Sequence, residues 1–299
     1  MESNKTPKRR KSLKRYLTMV ASIILGSRFF TDKTSIKLKY RFLMKRKLNL
    51  KDPQTFNEKL NWMKLYYRKP IMTTMVDKYE VKKYVSDIIG SEYVIPSIAI
   101  HDKWDDIDFN SLEAPFVLKT THSSGVIAIV KDKDTFDYKT TKKKFNKSLR
   151  HNYFYGCREW PYKNVKPRII VEKFVKDSKE DNLPVYKFFC FNGEPYLVQT
   201  IKNDKTSYET IDYFDMDWVF LELKQNFNNS EIPLKKPSNF EDMKEIAANL
   251  SKGFPFVRVD LYSIDGKIYF SEFTFFSDAG YQRFYPEKWD LILGEKIVF

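Results

Sequence analysis

The stretch Phe256-Val257-Arg258-Val259-Asp260-Leu261-Tyr262, Ser263-Ile264-Asp265-Gly266, Lys267-Ile268-Tyr269-Phe270-Ser271-Glu272-Phe273-Thr274-Phe275 decides the fold. Both arms are β-branched and aromatic, and an Asp-Gly turn signal separates them, which predicts a β-hairpin. Three charges, Arg258, Asp260 and Glu272, interrupt the apolar pattern. A buried or half-buried strand rarely keeps charges unless they are paired or bind something. Period-2 geometry puts Arg258 and Asp260 on one face. A two-residue turn at Asp265-Gly266 would pair Asp260 with Ser271 and send Glu272 to the other face. A three-residue loop, Ile264-Asp265-Gly266 with Gly266 left-handed, would pair Arg258 with Glu272 and place all three charges together. The three-residue loop is the expectation. Two carboxylates beside a guanidinium suit a hard divalent cation and a polyphosphate. A salt-bridge cluster on an edge strand fits the same charges.

At 299 residues the chain can hold two compact domains, or one α/β body with an appendage. The composition, 42% hydrophobic with 16% aromatic, is that of a folding chain. Cys157 and Cys190 give neither a disulfide framework nor a CxxC metal spacing, and His101, His122 and His151 lie far apart. The net charge of +14 resembles a nucleic-acid signal until it is located. Residues 1–51 hold sixteen Lys/Arg against Glu2 and Asp32, so the body of the chain is neutral. A basic arm on a neutral body suits an anionic membrane surface or another polyanion and argues against nucleic acid as partner.

Residues 1–15 are strongly basic, and an apolar run follows from Tyr16 to Leu25. At about ten residues that run is well short of the roughly 20 that span a bilayer. No A-x-A-like cleavage site follows. Residues 1–15 are expected to be disordered, or helical only when bound; for the run that follows, an interfacial helix is one reading, and a helix packed on the body with a solvated tail is the other. Thr55 with Glu58 three residues on predicts a capping box. A helix is expected from Thr73 to Ile88, and short strands over Tyr93–Pro96 and Ile98–Ile100.

Phe116-Val117-Leu118-Lys119 reads as a buried strand entering a hydroxyl-rich loop, Thr120-Thr121-His122-Ser123-Ser124-Gly125, with Val126–Val130 as the return strand. Such a loop can fold its amides and hydroxyls over phosphates with Lys119 as cation, though it is not a Walker A motif. Pro167–Val175 reads as a buried strand that carries Val-Glu-Lys-Phe and ends in a polar loop. Tyr186–Val198 is a hairpin turning at Asn192-Gly193, and Lys187 is an odd cation in an aromatic strand. Residues 239–251 predict a helix.

The stretches TFNEKLNWMKLYYRKP, DKYEVKKYV, IGSEYVIP, FVLKTTHSSG, VEKF, YKFFCFNGEP, RVDLY and YFSEFTFF occur in this order over residues 55–276. Together they resemble the ATP-grasp superfamily, and more closely its branch named for teichuronopeptide biosynthesis (TupA-like). The resemblance implies an α+β fold in which two α+β subdomains clamp a nucleotide, with a basic helical N-terminal appendage. It divides the chain into an arm and helix (1–50), an α/β region before the nucleotide site (51–112) and the nucleotide-binding and catalytic region (113–299). It implies ATP and Mg²⁺. Lys119 would hold the α- and β-phosphates, and Thr120, Thr121, Ser123, Ser124 and Gly125 would close over the β- and γ-phosphates. Glu172 and the backbone of Lys173 and Phe174 would meet the adenine edge, and Lys187 would contact phosphate. Asp260, Glu272 and Thr274 would hold the metal, with Arg258 stabilising charge on the transferring group. Thr274 stands where the superfamily often has Asn, and Val185 where the branch has Asp.

The implied reaction is ATP-dependent ligation of a carboxylate to an amine through an acylphosphate, on a capsular, cell-wall or exopolysaccharide precursor. A lipid-linked glycan at the inner face of the cell membrane would place the protein in the cytoplasm, peripherally bound. Rival readings are a glycosyltransferase using Asp215-Met216-Asp217 as a DxD motif, and a nucleotide- or glycan-binding scaffold without turnover. Residues 277–289, with Asp278, Gly280, Tyr281 and Arg283, are the candidate acceptor loop.

Overall fold

The computed structural model describes residues 29–178, 183–202 and 209–299. The expectations for residues 1–28 lie outside them. Among the described residues no helix is long and apolar enough to cross a membrane.

Two antiparallel sheets form the architecture. The smaller has four strands: β1 (Ser97–His101), β2 (Phe116–Thr120), β3 (Ile127–Val130) and β4 (Ile169–Lys173), in the spatial order β1-β4-β2-β3. The larger has five: β5 (Val185–Phe191), β6 (Glu194–Lys202), β7 (Thr210–Asp215), β8 (Val257–Ile264) and β9 (Lys267–Thr274), in the order β7-β6-β5-β8-β9. Each sheet has its own core. The smaller packs Phe116, Leu118, Ile169 and Val171 against Trp104 and Phe145, the latter on helix Tyr138–Leu149. The larger packs the inward faces of β5, β6 and β8 against five helices. In chain order, with Asp32–Met44 as α1, these are α2 (Phe56–Tyr66), α3 (Ile71–Val76), α4 (Glu80–Ile89), helix Phe240–Ser251 and helix Lys288–Lys296.

Residues 51–112 therefore do not pack as a unit of their own. Phe56, Leu60, Met63, Met72 and Val85 join the core of the larger sheet, whereas Trp104, Ile107 and Leu112 join that of the smaller. Apolar side chains separated in sequence share whichever core removes more of their surface from water. Phe56 anchors α2, its ring 4.9 Å from that of Phe256 and in contact with Phe189, Phe191 and Phe284. The helix starts at the expected capping box, in which Thr55 Oγ1 accepts the Glu58 N–H and Glu58 accepts that of Thr55.

Two local expectations are corrected. The helix expected over Thr73–Ile88 is broken into α3 and α4 at Asp77-Lys78-Tyr79. Asp77 is extended, and its carboxylate accepts the N–H groups of Tyr79 and Glu80, which stops one helix and caps the next. Arg168 locks the break through Asp77 at 2.9 Å and Glu80 at 2.8 Å. Tyr93–Pro96 is not a strand: Ser91–Tyr93 is a 3₁₀ turn, and Val94 makes one isolated bridge to Phe270.

Candidate active site

The β8–β9 hairpin reaches the geometry its chemistry needs by a different route from the one expected. The turn has two residues, with Asp265 (φ 49°) and Gly266 (φ 79°) both left-handed and Ile264 paired with Lys267. That register would send Glu272 to the far face. A bulge at Ser271 shifts it, so that Leu261 pairs with Phe270 but Asp260 pairs with Glu272 and Arg258 with Thr274. One extra residue in β9 restores the common face. Arg258 then grips Asp260 with a two-pronged contact, Nε to Oδ1 at 2.7 Å and Nη2 to Oδ2 at 2.8 Å. Both groups are buried. Glu272 is looser, 3.8 Å from Arg258 and 3.8 Å from Lys78, with its side chain 36% exposed.

Between the sheets lies a cleft of about 250 Å³. The smaller sheet brings Lys119 and Glu172 to it; the larger brings Lys187, Asp260 and Glu272; the broken helix brings Lys78 and Lys82. Four lysines face three carboxylates, so the cleft carries an excess of positive charge suited to a polyphosphate. Burial raises the pKa of Glu272, but Lys78, Arg258, Lys187 and Lys119 outweigh it and hold the group below its ordinary value. Lys187 pairs across the sheet with Asp260, its Nζ 3.6 Å from the carboxylate.

Glu172 forms ion pairs with two lysines, Oε2 lying 2.6 Å from Lys119 Nζ and Oε1 2.5 Å from Lys82 Nζ. A carboxylate buried to this degree needs countercharge, so its oxygens face two lysines. Burial raises its pKa, yet the lysines pull it below the usual carboxylate range. The pairing fixes the reach of Lys119 into the cleft. The Lys173 N–H donates to Pro96 O, and neither Lys173 nor Phe174 lines the cleft.

Only the tip of the hydroxyl loop reaches the cleft, as Ser124 and Gly125. Thr120 Oγ1 and Ser123 Oγ are 2.6 Å apart, and Ser123 continues to Ser148 Oγ at 3.2 Å. Thr121 is tied through its N–H to Arg168 O and through its hydroxyl to Lys166 O. These three side chains are buried and shape the loop rather than line the cleft. Lys78 holds the loop from the other side, its Nζ donating to Ser123 O at 3.0 Å.

Among the described residues no three His, Cys, Asp or Glu side chains converge as a metal cluster. A metal here would therefore complete its shell with phosphate and water oxygens, the habit of Mg²⁺. The residues fit that role. Glu272 opens to the cleft with its nearest ion-pair partners among the described residues 3.8 Å away and stands opposite Asp260, while Thr274 lies two residues along the same face. Val185 lines the cleft where the branch carries Asp. Asp215-Met216-Asp217 is a turn: Asp215 Oδ1 accepts the N–H groups of Asp217 and Val219, and neither acid lines the cleft.

Sequence reading did not assign roles to Lys78 and Lys82, although the helix-breaking Asp77-Lys78 pair is a visible signal. It also missed the polar stripe of α2. Asn57, Asn61 and Lys64 share one helical face and are fully buried. Asn57 bonds both ways with the backbone of Gln282, Asn61 donates to Gly280 O at 2.7 Å and Lys64 to Ala279 O at 2.6 Å. They hold a turn in which Asp278 (φ 46°), Ala279 (φ 52°) and Gly280 (φ 67°) are all left-handed. Such backbone costs energy and persists only where surrounding contacts determine it. A side chain at Gly280 would meet Asn61 Nδ2 at 2.8 Å.

Two antiparallel sheets facing each other across a lysine-lined cleft, with paired carboxylates on the last hairpin, define the ATP-grasp class of fold. The chain belongs to the TupA-like ATP-grasp family, whose model matches residues 58–298. Among solved structures, D-alanine–D-alanine ligase from Bacillus anthracis complexed with ATP is 18% identical with a TM-score of 0.38, over 67% of this chain and 55% of that one. L-amino acid ligase from Bacillus licheniformis is 13% identical with a TM-score of 0.49, over 90% of this chain and 62% of that one. D-alanine–D-alanine ligase from Helicobacter pylori is 16% identical with a TM-score of 0.43, over 81% and 69%. This chain thus spans little more than half the length of the first of these ligases. The search of curated proteins gave no match.

Proposed function

We propose that the protein is an ATP- and Mg²⁺-dependent carboxylate–amine ligase working through an acylphosphate. The observation that carries this reading is the placement of Lys119, Lys187 and Lys78 in one cleft with Asp260 and Glu272, which Arg258 adjoins. Phosphoryl transfer depends on cations positioned around phosphate oxygens and an in-line acceptor. Lys119, steadied by Glu172, and Lys78 and Lys187 bind the phosphates; Ser124 and Gly125 cover them. Glu272 and Asp260, with Thr274 beside them, hold Mg²⁺. When bound, the metal neutralises phosphate charge and draws electrons toward the leaving oxygen. Arg258, oriented by Asp260, faces the charge that develops on the transferring group.

The carboxylate and amine are assigned to a capsular, cell-wall or exopolysaccharide precursor, supported by the family resemblance. A lipid-linked glycan and an anionic membrane met by residues 1–30 extend that reading, supported by the basic charge confined to the arm. The protein would then work in the cytoplasm at the inner membrane face. Thermal stabilisation by MgATP, followed by phosphate release across a panel of carboxylates and amines, tests the ligase. Absence of stabilisation by MgATP and MgADP at millimolar levels removes it.

A further inference from the structure

The outer side of helix Tyr138–Leu149 carries a stripe of cations. Lys139, Lys142, Lys143, Asn146, Lys147 and Arg150 recur at three- and four-residue spacing and so lie along one side of the helix, with Arg150 at its C-cap. They border a shallow trough of about 510 Å³. Lys142 pairs with Asp105. Among the described residues Lys139, Lys143, Lys147 and Arg150 have no side-chain hydrogen bond or ion pair, and all four are exposed. The opposite side of the helix is anchored by Phe145, fully buried with its ring centre 5.4 Å from that of Trp104.

The stripe works against its own helix. Like charges three and four residues apart repel, and Lys139 in the first turn opposes the helix dipole. The countercharge comes from outside the chain, and its chemistry follows from the stripe. No apolar or aromatic side chain belongs to it, so it offers neither the desolvated core of a protein interface nor a platform for stacked bases. All its cations but Arg150 are lysines, point charges that suit a fluid array of anions better than a bidentate grip on one fixed group. The basic arm also begins nearby. Phe30 O accepts Arg158 Nη2 at 3.3 Å, and Arg158 follows Arg150 by eight residues. Eight residues span at most about 30 Å. Phe29, through which the chain passes to the arm, is 96% exposed. Docking by this side leaves the cleft open, because pleating turns Phe116 and Leu118 toward Phe145 and the adjacent Lys119 toward the cleft.

We propose that this stripe and the basic arm together form the contact surface for a bilayer of anionic lipid. The arm's part rests on the membrane reading of residues 1–30; the stripe extends that reading to the folded body and is separately testable. Its cations, spread along about 17 Å of helix, meet headgroup charge without inserting a side chain into the hydrocarbon. The attraction is electrostatic and short in range, so it is weakened by salt. It sets the smaller sheet at the surface with its other face, which carries Lys119, turned to the cleft.

The test is sedimentation of the full chain with phosphatidylcholine vesicles, with and without phosphatidylserine. The stripe variant carries Lys139→Gln, Lys143→Gln, Lys147→Gln and Arg150→Gln. The arm variant carries Lys8→Gln, Arg9→Gln, Arg10→Gln and Lys11→Gln. A control loses the same charge at exposed positions elsewhere, through Lys47→Gln, Lys51→Gln, Lys235→Gln and Lys267→Gln. Glutamine matches lysine closely in helix propensity, so urea midpoints of the stripe variant and wild type should agree. The partition of the stripe variant onto phosphatidylserine vesicles should fall at least about tenfold, and the pair Lys143→Gln, Lys147→Gln should give an intermediate loss. The control should partition like wild type, and no protein should sediment with phosphatidylcholine alone. A stripe variant that partitions like wild type, or a control that loses as much, overturns the proposal. Loss in the arm variant alone keeps the arm reading and removes the stripe; loss in the stripe variant alone does the reverse. Wild type that stays free of vesicles but binds soluble polygalacturonate assigns the stripe to an acidic polysaccharide and overturns the bilayer.

Discussion

Asp260 and Glu272 stand directly opposite each other on β8 and β9 although their hairpin closes with a two-residue turn, because the bulge at Ser271 shifts the register between them and the turn. Their environments are unequal. Asp260 is held through both oxygens by Arg258, whereas the nearest ion-pair partners of Glu272 among the described residues lie 3.8 Å away.

The two carboxylates should therefore fail differently when neutralised. Asp260→Asn leaves the buried Arg258 without its partner and should cost about 3–5 kcal/mol in urea unfolding. Glu272→Gln, half-exposed and loosely held, should change stability by under about 1 kcal/mol. It should still lower turnover at least about 100-fold and raise the Mg²⁺ requirement. Equal destabilisation by both would remove the division of roles.

Lys78 links three parts of the cleft: the helix break, the loop carbonyl of Ser123 and Glu272. Lys78→Ala should weaken MgATP binding by about 10- to 100-fold, one lost charge-assisted contact of about 1.5–3 kcal/mol. Far-ultraviolet dichroism should be unchanged. Nucleotide affinity within twofold of wild type would show that Lys78 only braces the loop.

Stability should pass through a minimum near neutral pH. The Glu159 pKa is raised from 4.5 to about 7, so between those values the folded state binds more protons and stability falls as pH rises. The Lys64 pKa is lowered from 10.5 to about 8, so between those values the unfolded state binds more protons and stability rises with pH. Urea midpoints measured from about pH 5 to 10 should trace the dip, and Glu159→Gln should flatten its acidic limb. An acidic limb unaltered in the variant would assign the dip to other groups.

Deleting residues 1–28 should reduce sedimentation with vesicles containing phosphatidylserine and leave MgATP stabilisation as it was. Each basic residue near an anionic surface contributes about 1 kcal/mol, and seven of the eight basic residues removed lie within residues 5–15. Unchanged partition would refute a membrane role for the arm.

Much of the protein is legible in its sequence where local chemistry decides. The Thr55 capping box, the Asn192-Gly193 turn, the strand carrying Lys119 and the helix after Asn239 follow from residue types a few positions apart, because caps, turns and pleats are local. The ordered motifs from Thr55 to Phe276 identify the ATP-grasp fold. Tertiary structure decided what depends on partners far along the chain. The Asp77 break is fixed by Arg168, ninety-one residues away, which no helical periodicity anticipates. The bulge at Ser271 sets which face Glu272 takes, and both turn types were compatible with the same residues. Glu172 faces Lys82 and Lys119 because a buried carboxylate takes the nearest countercharges, and those come from a helix and another strand. The same long-range packing buries Glu159 and Lys64, charges far apart in the sequence.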